Sequence, residues 1–379
     1  LAGTEENMKG MLFVTAGLGG MSGAQPKAGV ISGVVSVVAE INPLAARKRY
    51  EQGWVDEIHS DLDELIPRIR KATEGKEVVS LAYEGNVVDL WERLADEEIH
   101  VDLGSDQTSL HNPWAGGYYP VGYSYEESKT MMAEEPERFR ECVQESLRRH
   151  AAAVNRLADK GMYFFDYGNA FLLESSRAGA DIMGENGKFR YPSYVQDIMG
   201  PLFFDYGFGP FRWVCLSGKH EDLVKTDQAA MACIPKERRG QDMDNWIWIR
   251  DAEKNNLVVG TQARILYQDA IGRMNIALKF NEMVRRGEVG PVMIGRDHHD
   301  VSGTDSPFRE TSNIKDGSNV MADMAVQCFA GNAARGMSLC ALHNGGGVGI
   351  GKSINGGFGL VLDGSKRIDA IIHSAMMWD

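Results

Sequence analysis

Residues 17–25 read GLGGMSGAQ, with a short apolar run on either side: MLFVTA (11–16) before and VSVVAEI (35–41) after. Continuous apolar runs of this length mark strands buried on both faces of a parallel sheet. Gly17, Gly19, Gly20 and Gly23 allow a tight turn and a close approach of backbone to a pyrophosphate, and a helix N-terminus beyond them favours an anion. Glu40 closes the second run 20 residues after Gly20, where an acid that holds a ribose 2′-OH belongs. Ser22 stands where the usual pattern has its third glycine, so a purely structural turn is the competing reading.

The rest of the first half repeats the rhythm of strand and helix. EVVSLAY (77–83), HVDLGS (100–105) and MYFFDYG (162–168) read as further strands. Pro43 opens a helix, and Ser60 with Asp63 resembles a capping box before LDELIPRIRKA, whose middle Pro67 strains. From Pro136 to about Lys160, Phe139, Cys142, Val143, Leu147, Ala151, Val154 and Leu157 share one helical face. Strands alternating with helices imply a parallel α/β sheet. The polar stretch from Lys236 to Asn245 reads as a surface linker, and a second helix-and-strand series follows with VVGTQARILY, VGPVMIG and MSLCALHN. The expected organisation is α/β: a Rossmann-like parallel-sheet domain over residues 1–218, and part of a second α/β core domain over 219–379.

A length of 379 residues favours two domains, and 43% hydrophobic with 25% charged residues is a globular composition. A net charge of −13 without a long basic run speaks against nucleic-acid binding, and no apolar stretch approaches the length of a membrane span. Five cysteines without a CxxC pair argue against a disulfide framework or zinc ribbon and favour a reducing, cytoplasmic compartment. LAGTEENMKG is not a signal peptide, and both ends of the chain read as boundaries of a fragment.

Other motifs bear on chemistry. Residues 346–353, GGVGIGKS, match the P-loop pattern, with Lys352 and Ser353 in the phosphate and Mg²⁺ positions. The match comes too near the C-terminus to be followed by the strand that supplies the Mg²⁺-holding Asp, so the segment reads instead as a flexible or closely packed wall of a site. Gly295 to Thr311, GRDHHDVSGTDSPFRET, is dense in titratable groups and follows an apolar strand. Asp297, His298 and Asp300 are its proton-transfer candidates, with Arg309 alongside. Adjacent histidines on a strand point to opposite faces, so no metal site is expected there. DQTSLHNP (106–113), GGYYP (116–120) and FDYGNAF (165–171) place Gln107, Thr108, Ser109, His111, Tyr118, Tyr119, Tyr167 and Asn169 at strand ends, suited to a ribose or an amide. Cys215 reads as a buried apolar cysteine.

These same blocks carry a family resemblance. GLGGMSGAQ, DQTSLHNP, FDYGNAF, YPSYVQDIMGP, RDHHDVSGTDSPFRET and HNGGGVGIGKSINGGFGLVLDG resemble those of the urocanases, in the family's order across nearly the whole chain and closer to the eukaryotic type. The resemblance implies a homodimeric hydro-lyase of histidine degradation that converts urocanate and water to 4-imidazolone-5-propionate. It implies a tightly bound NAD⁺ that is not consumed but serves as an electrophile, its nicotinamide C4 bonding the imidazole ring so that water can add. Carried over by position, Gly19, Gly20, Met21 and Ser22 match the phosphate loop and Glu40 the ribose-binding acid. Asn86 and Val87, Gln107, Thr108, Ser109, Leu110 and His111, Tyr118 with Tyr119, and Tyr167 match further cofactor contacts. Arg264, in GTQARI, resembles an arginine that would pair with the substrate carboxylate. Many bacterial members carry a cysteine directly after RDHxD, where this chain has Val301, so a thiol there is not expected to be essential. The family chain extends beyond both ends of this one. Two other readings stay open on the residues alone: an NAD-dependent dehydrogenase, and a non-catalytic NAD-binding remnant.

Overall fold

The computed structural model describes residues 8–20, 22–168, 170–185, 187–203, 206–237, 240–258, 260–295, 304–305, 323–344 and 354–378. They divide into two compact units, residues 1–195 and 196–379.

In the first unit β1 (Leu12–Ala16), β2 (Val35–Glu40), β3 (Glu57–His59), β4 (Val79–Glu84), β5 (Leu103–Asp106) and β6 (Tyr163–Asp166) form one sheet in the order β3-β4-β2-β1-β5-β6. Every pairing in it is parallel. The chain winds outward from β1 in one direction, then returns to start again at β5, so the order reverses between β1 and β5. Ligands of open α/β sheets bind outside the carboxyl ends of the strands at such a point. The residues of β2 and β4 are buried but for the terminal glutamates, as the unbroken apolar runs require of strands covered on both faces.

The covering helices are α1 (Gln25–Ser32), α2 (Pro43–Glu51), α3 (Leu62–Glu74), α4 (Val87–Asp96), α5 (Tyr125–Glu134), α6 (Pro136–Ala158) and α7 (Phe171–Arg177). On α6 the predicted apolar face is buried except for Cys142, which is partly exposed. It packs with Trp91 of α4 and Phe164 of β6 in one core. Helix α2 opens at Pro43 behind the cap Asn42, whose side chain accepts from Leu44 N at 3.1 Å. Helix α3 is capped by Asp61 rather than Ser60, its carboxylate accepting from Asp63 N at 2.8 Å, and it runs through Pro67 unbroken.

The second unit holds β7 (Gly209–Cys215), α8 (His220–Cys233), α9 (Gln241–Arg250), β8 (Ala263–Gln268), α10 (Ala270–Arg285), β9 (Val292–Gly295), β10 (Thr304–Asp305), α11 (Asp323–Ala334), β11 (Leu339–Asn344), β12 (Ile354–Leu362) and α12 (Lys366–Ala375). Its sheet runs β10-β12-β9-β7-β8 with β11 also on β12, and these pairings are antiparallel. Phe211, Trp213, Phe280, Leu360 and Ile372 share its core.

Two expectations change. Strand β7 belongs to the second sheet through its pairing with β8 and β9, so the division falls before it, not at residue 218. The polar stretch from Lys236 to Asn245 is not linker throughout, because α9 begins inside it at Gln241. Cys215 is buried, as expected, and burial raises its pKa.

Candidate functional site

The carboxyl ends of β1, β2, β4 and β5 surround a cavity of about 290 Å³. Its lining comes from the glycine loop, the turns after β2 and β4, and the segment after β5.

The loop is built by its glycines in different ways. Gly17 has a φ of +91°, and a Cβ there would come within 3.0 Å of Ser22 Oγ and 3.3 Å of Gln107 O. It turns the chain out of β1 while its N–H donates to Ala39 O at 2.8 Å. A Cβ on Gly19 would meet only Ser22 Oγ, at 3.5 Å, and one on Gly20 would meet nothing within 4 Å. The loop therefore presents bare backbone on its open side. Gly23 has another task. A Cβ there would lie 2.0 Å from Nε of Arg49, so this glycine admits a guanidinium rather than a ligand. The close helix-on-strand approach usually given to the third glycine of such loops falls to Gly29 in α1, where a Cβ would lie 2.8 Å from Ser36 Cβ on β2.

Glu40 stands at the end of β2 on the cavity wall. Its oxygens accept from Leu18 N at 2.6 Å and from Asn42 N at 2.8 Å. Burial raises its pKa, opposed by these backbone donors. The acid thus braces the glycine loop besides facing the cavity, and its remaining lone pairs suit hydroxyl donors.

Asn86 caps α4, accepting from Val88 N at 2.9 Å, and its amide donates to Tyr119 O at 3.0 Å. That bond ties the turn after β4 to the GGYYP segment. Gly117 is forced: a Cβ there would lie 2.1 Å from Ser109 O. Gln107 accepts from the side-chain amide of Gln25 at the start of α1. Behind Thr108 lies Asp106, wholly buried, whose Oδ1 accepts from Thr108 N at 3.1 Å and Thr108 Oγ1 at 2.5 Å. Burial, with Asp166 opposite it on β6, pushes its pKa up to about 7. Tyr118 turns its hydroxyl inward to His150 Nδ1 at 3.0 Å, and burial lowers the pKa of that histidine to about 3.

Of the residues singled out in the sequence, Gly19, Ser22, Glu40, Asn86, Val87, Gln107, Thr108, Ser109, Tyr118 and Tyr119 meet on this cavity. Gly20 adjoins it on the exposed side of the loop. Leu110 is in the core, His111 follows it outside the lining, and Tyr167 stacks on Tyr194 with ring centroids 4.7 Å apart. Met21, Asn169, Asp297, His298, Asp300, Val301, Arg309 and the P-loop-like residues 346–353 lie outside the described residues. Arg264 is described and buried: its fork engages Asp227 at 2.6 and 3.1 Å, and Nη1 donates to Leu257 O at 2.9 Å. The geometry gives its expected role toward a substrate carboxylate no support. Gln25, Arg49, Asn42 and Tyr125 belong to the site or its frame and were not singled out. Of these, Asn42 alone carries a local signal, a capping residue before Pro43. Among the described residues no cluster of His, Cys, Asp and Glu is arranged to hold a metal, and no helix is long and apolar enough to cross a membrane.

Comparison with known proteins places both units. Residues 2–198 match the family model described as the urocanase Rossmann-like domain, and residues 201–379 match the urocanase C-terminal domain. The chain is 56% identical over 388 residues to a probable urocanate hydratase of Caenorhabditis elegans, and 54% identical over 391 residues to the urocanate hydratase of Homo sapiens. Each alignment takes in 99% of this chain and 58% of the relative. The urocanate hydratase of Mus musculus is similar at 56% over 391 residues. The chain thus spans 58% of the length of these relatives.

Proposed function

This chain belongs to the urocanase family, and from that premise we propose that it is the larger part of a urocanate hydratase, adding water to urocanate to give 4-imidazolone-5-propionate with NAD⁺ held in the cavity of the first unit. The observation that carries the reading is the coincidence of that family match with a cavity at the sheet's reversal point, walled by a bare glycine loop and an acid at the end of β2.

The residues present fit a dinucleotide. The open backbone of Gly19 and Gly20 suits a pyrophosphate, Glu40 suits ribose hydroxyls, and the Asn86–Tyr119 and Gln25–Gln107 bonds hold the polar groups of the wall in place. When bound, NAD⁺ would supply an electron-withdrawing centre that activates the imidazole ring toward water. The chain's own task is then to fix the cofactor, orient urocanate and move protons. For proton transfer we propose Asp297, His298 and Asp300, with Arg309, in the segment that follows the carboxyl end of β9. On the same family basis the whole protein is proposed to be a cytoplasmic homodimer, to be checked by light scattering and cell fractionation.

The test is to purify the full-length protein, identify any nucleotide that comes with it, and follow urocanate. A hydratase consumes urocanate while the nicotinamide stays oxidised. Reduced nicotinamide appearing in step with substrate loss would instead make it a dehydrogenase. NAD⁺ retained without urocanate consumption would make it a binding remnant.

A further inference from the structure

Beneath the glycine loop lies a cation that no motif announces. Arg49, on α2, is buried, and its guanidinium donates to the loop from below: Nε to Leu18 O at 3.1 Å, and Nη2 to Gly19 O and, at 3.5 Å, to Gly20 O. Nη1 donates to Gln52 Oε1 at 2.8 Å, and the group lies 5.7 Å from the Trp54 ring centroid. Among the described residues it has neutral acceptors only; no carboxylate pairs with it. Arginine keeps its charge even where burial lowers its pKa, and a buried charge without a counter-ion is costly.

The arrangement has a directional consequence. In a trans peptide the C=O of one residue and the N–H of the next lie in one plane and point in opposite directions within it. Drawing the carbonyls of Leu18 and Gly19 onto Arg49 therefore turns the N–H groups of Gly19 and Gly20 away from it. They face the open side, where a Cβ on Gly20 would meet nothing. A second observation is independent of this one. Gly23 has no room for a Cβ because Arg49 occupies the space, its Nε 2.0 Å from where that atom would sit. The last glycine of GLGGMSG is thus the companion of an arginine 26 residues away in sequence.

We propose that Arg49 is the positioning residue of this dinucleotide site, holding the loop with its N–H groups outward and leaving a positive charge beneath it that the pyrophosphate of the bound ligand neutralises. The proposal rests on the dinucleotide reading and adds to it which residue gives the loop its anion-binding form.

The experiment uses full-length protein stripped of nucleotide, titrated with ADP and with adenosine. The pair separates pyrophosphate recognition from recognition of the nucleoside. Charge-assisted bonds of this kind are worth enough that R49M should weaken ADP by about 10–100-fold while leaving adenosine unchanged. R49K, which keeps the charge but cannot fork across two carbonyls, should fall between parent and R49M. ADP affinity in R49M equal to the parent's would overturn the proposal. So would equal losses for ADP and adenosine, which mark a collapsed site.

G23A gives a route that does not pass through Arg49 itself. It should lower ADP affinity as R49M does and lower the melting temperature, whereas G23A/R49A should melt no lower than R49A, because the methyl then fills vacated space. Additive losses in that double variant would overturn the steric pairing. Melting is read without ligand, so it distinguishes failure of Arg49's role from failure of the dinucleotide reading. A parent that binds neither ADP nor adenosine would sink that reading, and the charge role with it.

Discussion

Asp106 is a residue whose ionisation works against the fold. It is wholly buried, faces Asp166 across the β5–β6 register, and its Oδ2 has no hydrogen-bond partner. With a carboxyl that ionises at 3.8 when unfolded but only at about 7 when folded, the folded state holds its proton more tightly. The resulting stabilisation is complete below pH 3.8 and is lost as the pH rises to about 7. That displacement corresponds to roughly 4 kcal/mol at most. Asp106→Asn keeps an acceptor for Thr108 and removes the charge. It should be more stable than the parent at pH 8 and no more stable at pH 4, measured by denaturant unfolding; a constant difference across that range would assign the effect to packing. Chemistry is expected elsewhere. Replacing His298 or Asp300 by Ala should cut urocanate turnover by about 10²–10⁴-fold with NAD⁺ still bound, while near-normal turnover in both would make their segment structural.

At the scale of elements, Gly29 sets how closely α1 lies on the sheet. In an exposed helix Gly→Ala stabilises by about 1 kcal/mol. Here the new Cβ would stand 2.8 Å from Ser36 Cβ, which is fixed to the backbone of β2. Gly29→Ala should therefore destabilise, by about 1–3 kcal/mol, and an increase in melting temperature would show that α1 can ride away from the sheet freely. What the sequence revealed follows the same physics. β1, β2 and β4 were legible because strands covered on both faces run largely apolar. β3 was not: it is a three-residue edge strand, all partly exposed. β7 combines Pro210 with mixed burial. β12 hides its strand character in glycines, demanded by neighbours rather than by turns: a Cβ on Gly356 would lie 2.9 Å from Ala325 O, and one on Gly359 would lie 2.1 Å from Met293 Cε. The same division holds at the site. Residues at strand ends announced themselves, whereas Arg49 reaches the glycine loop and Gln25 reaches Gln107 from helices, where one polar residue among many carries no local mark.

At the scale of the whole molecule, each unit has its own core, and the described cavity lining lies entirely within residues 1–195. Residues 1–195 alone should fold cooperatively and bind ADP-ribose; loss of cooperative unfolding in that fragment would show that the second unit is needed to hold the first. The order of the sheet also bears on how such a site comes into being. β1 sits beside β2, which follows it closely, and beside β5, which is synthesised much later; Leu12 N donates to Asp102 Oδ2 across 90 residues, as Thr15 pairs with Ser105. Contacts so distant along the chain are slow to form. A nascent polypeptide has the glycine loop and Glu40 early, yet the opposite wall, from Gln107 to Tyr125, arrives only after β5. On the proposed dinucleotide reading, a growing chain is expected to complete its binding wall only once synthesis has passed Tyr125.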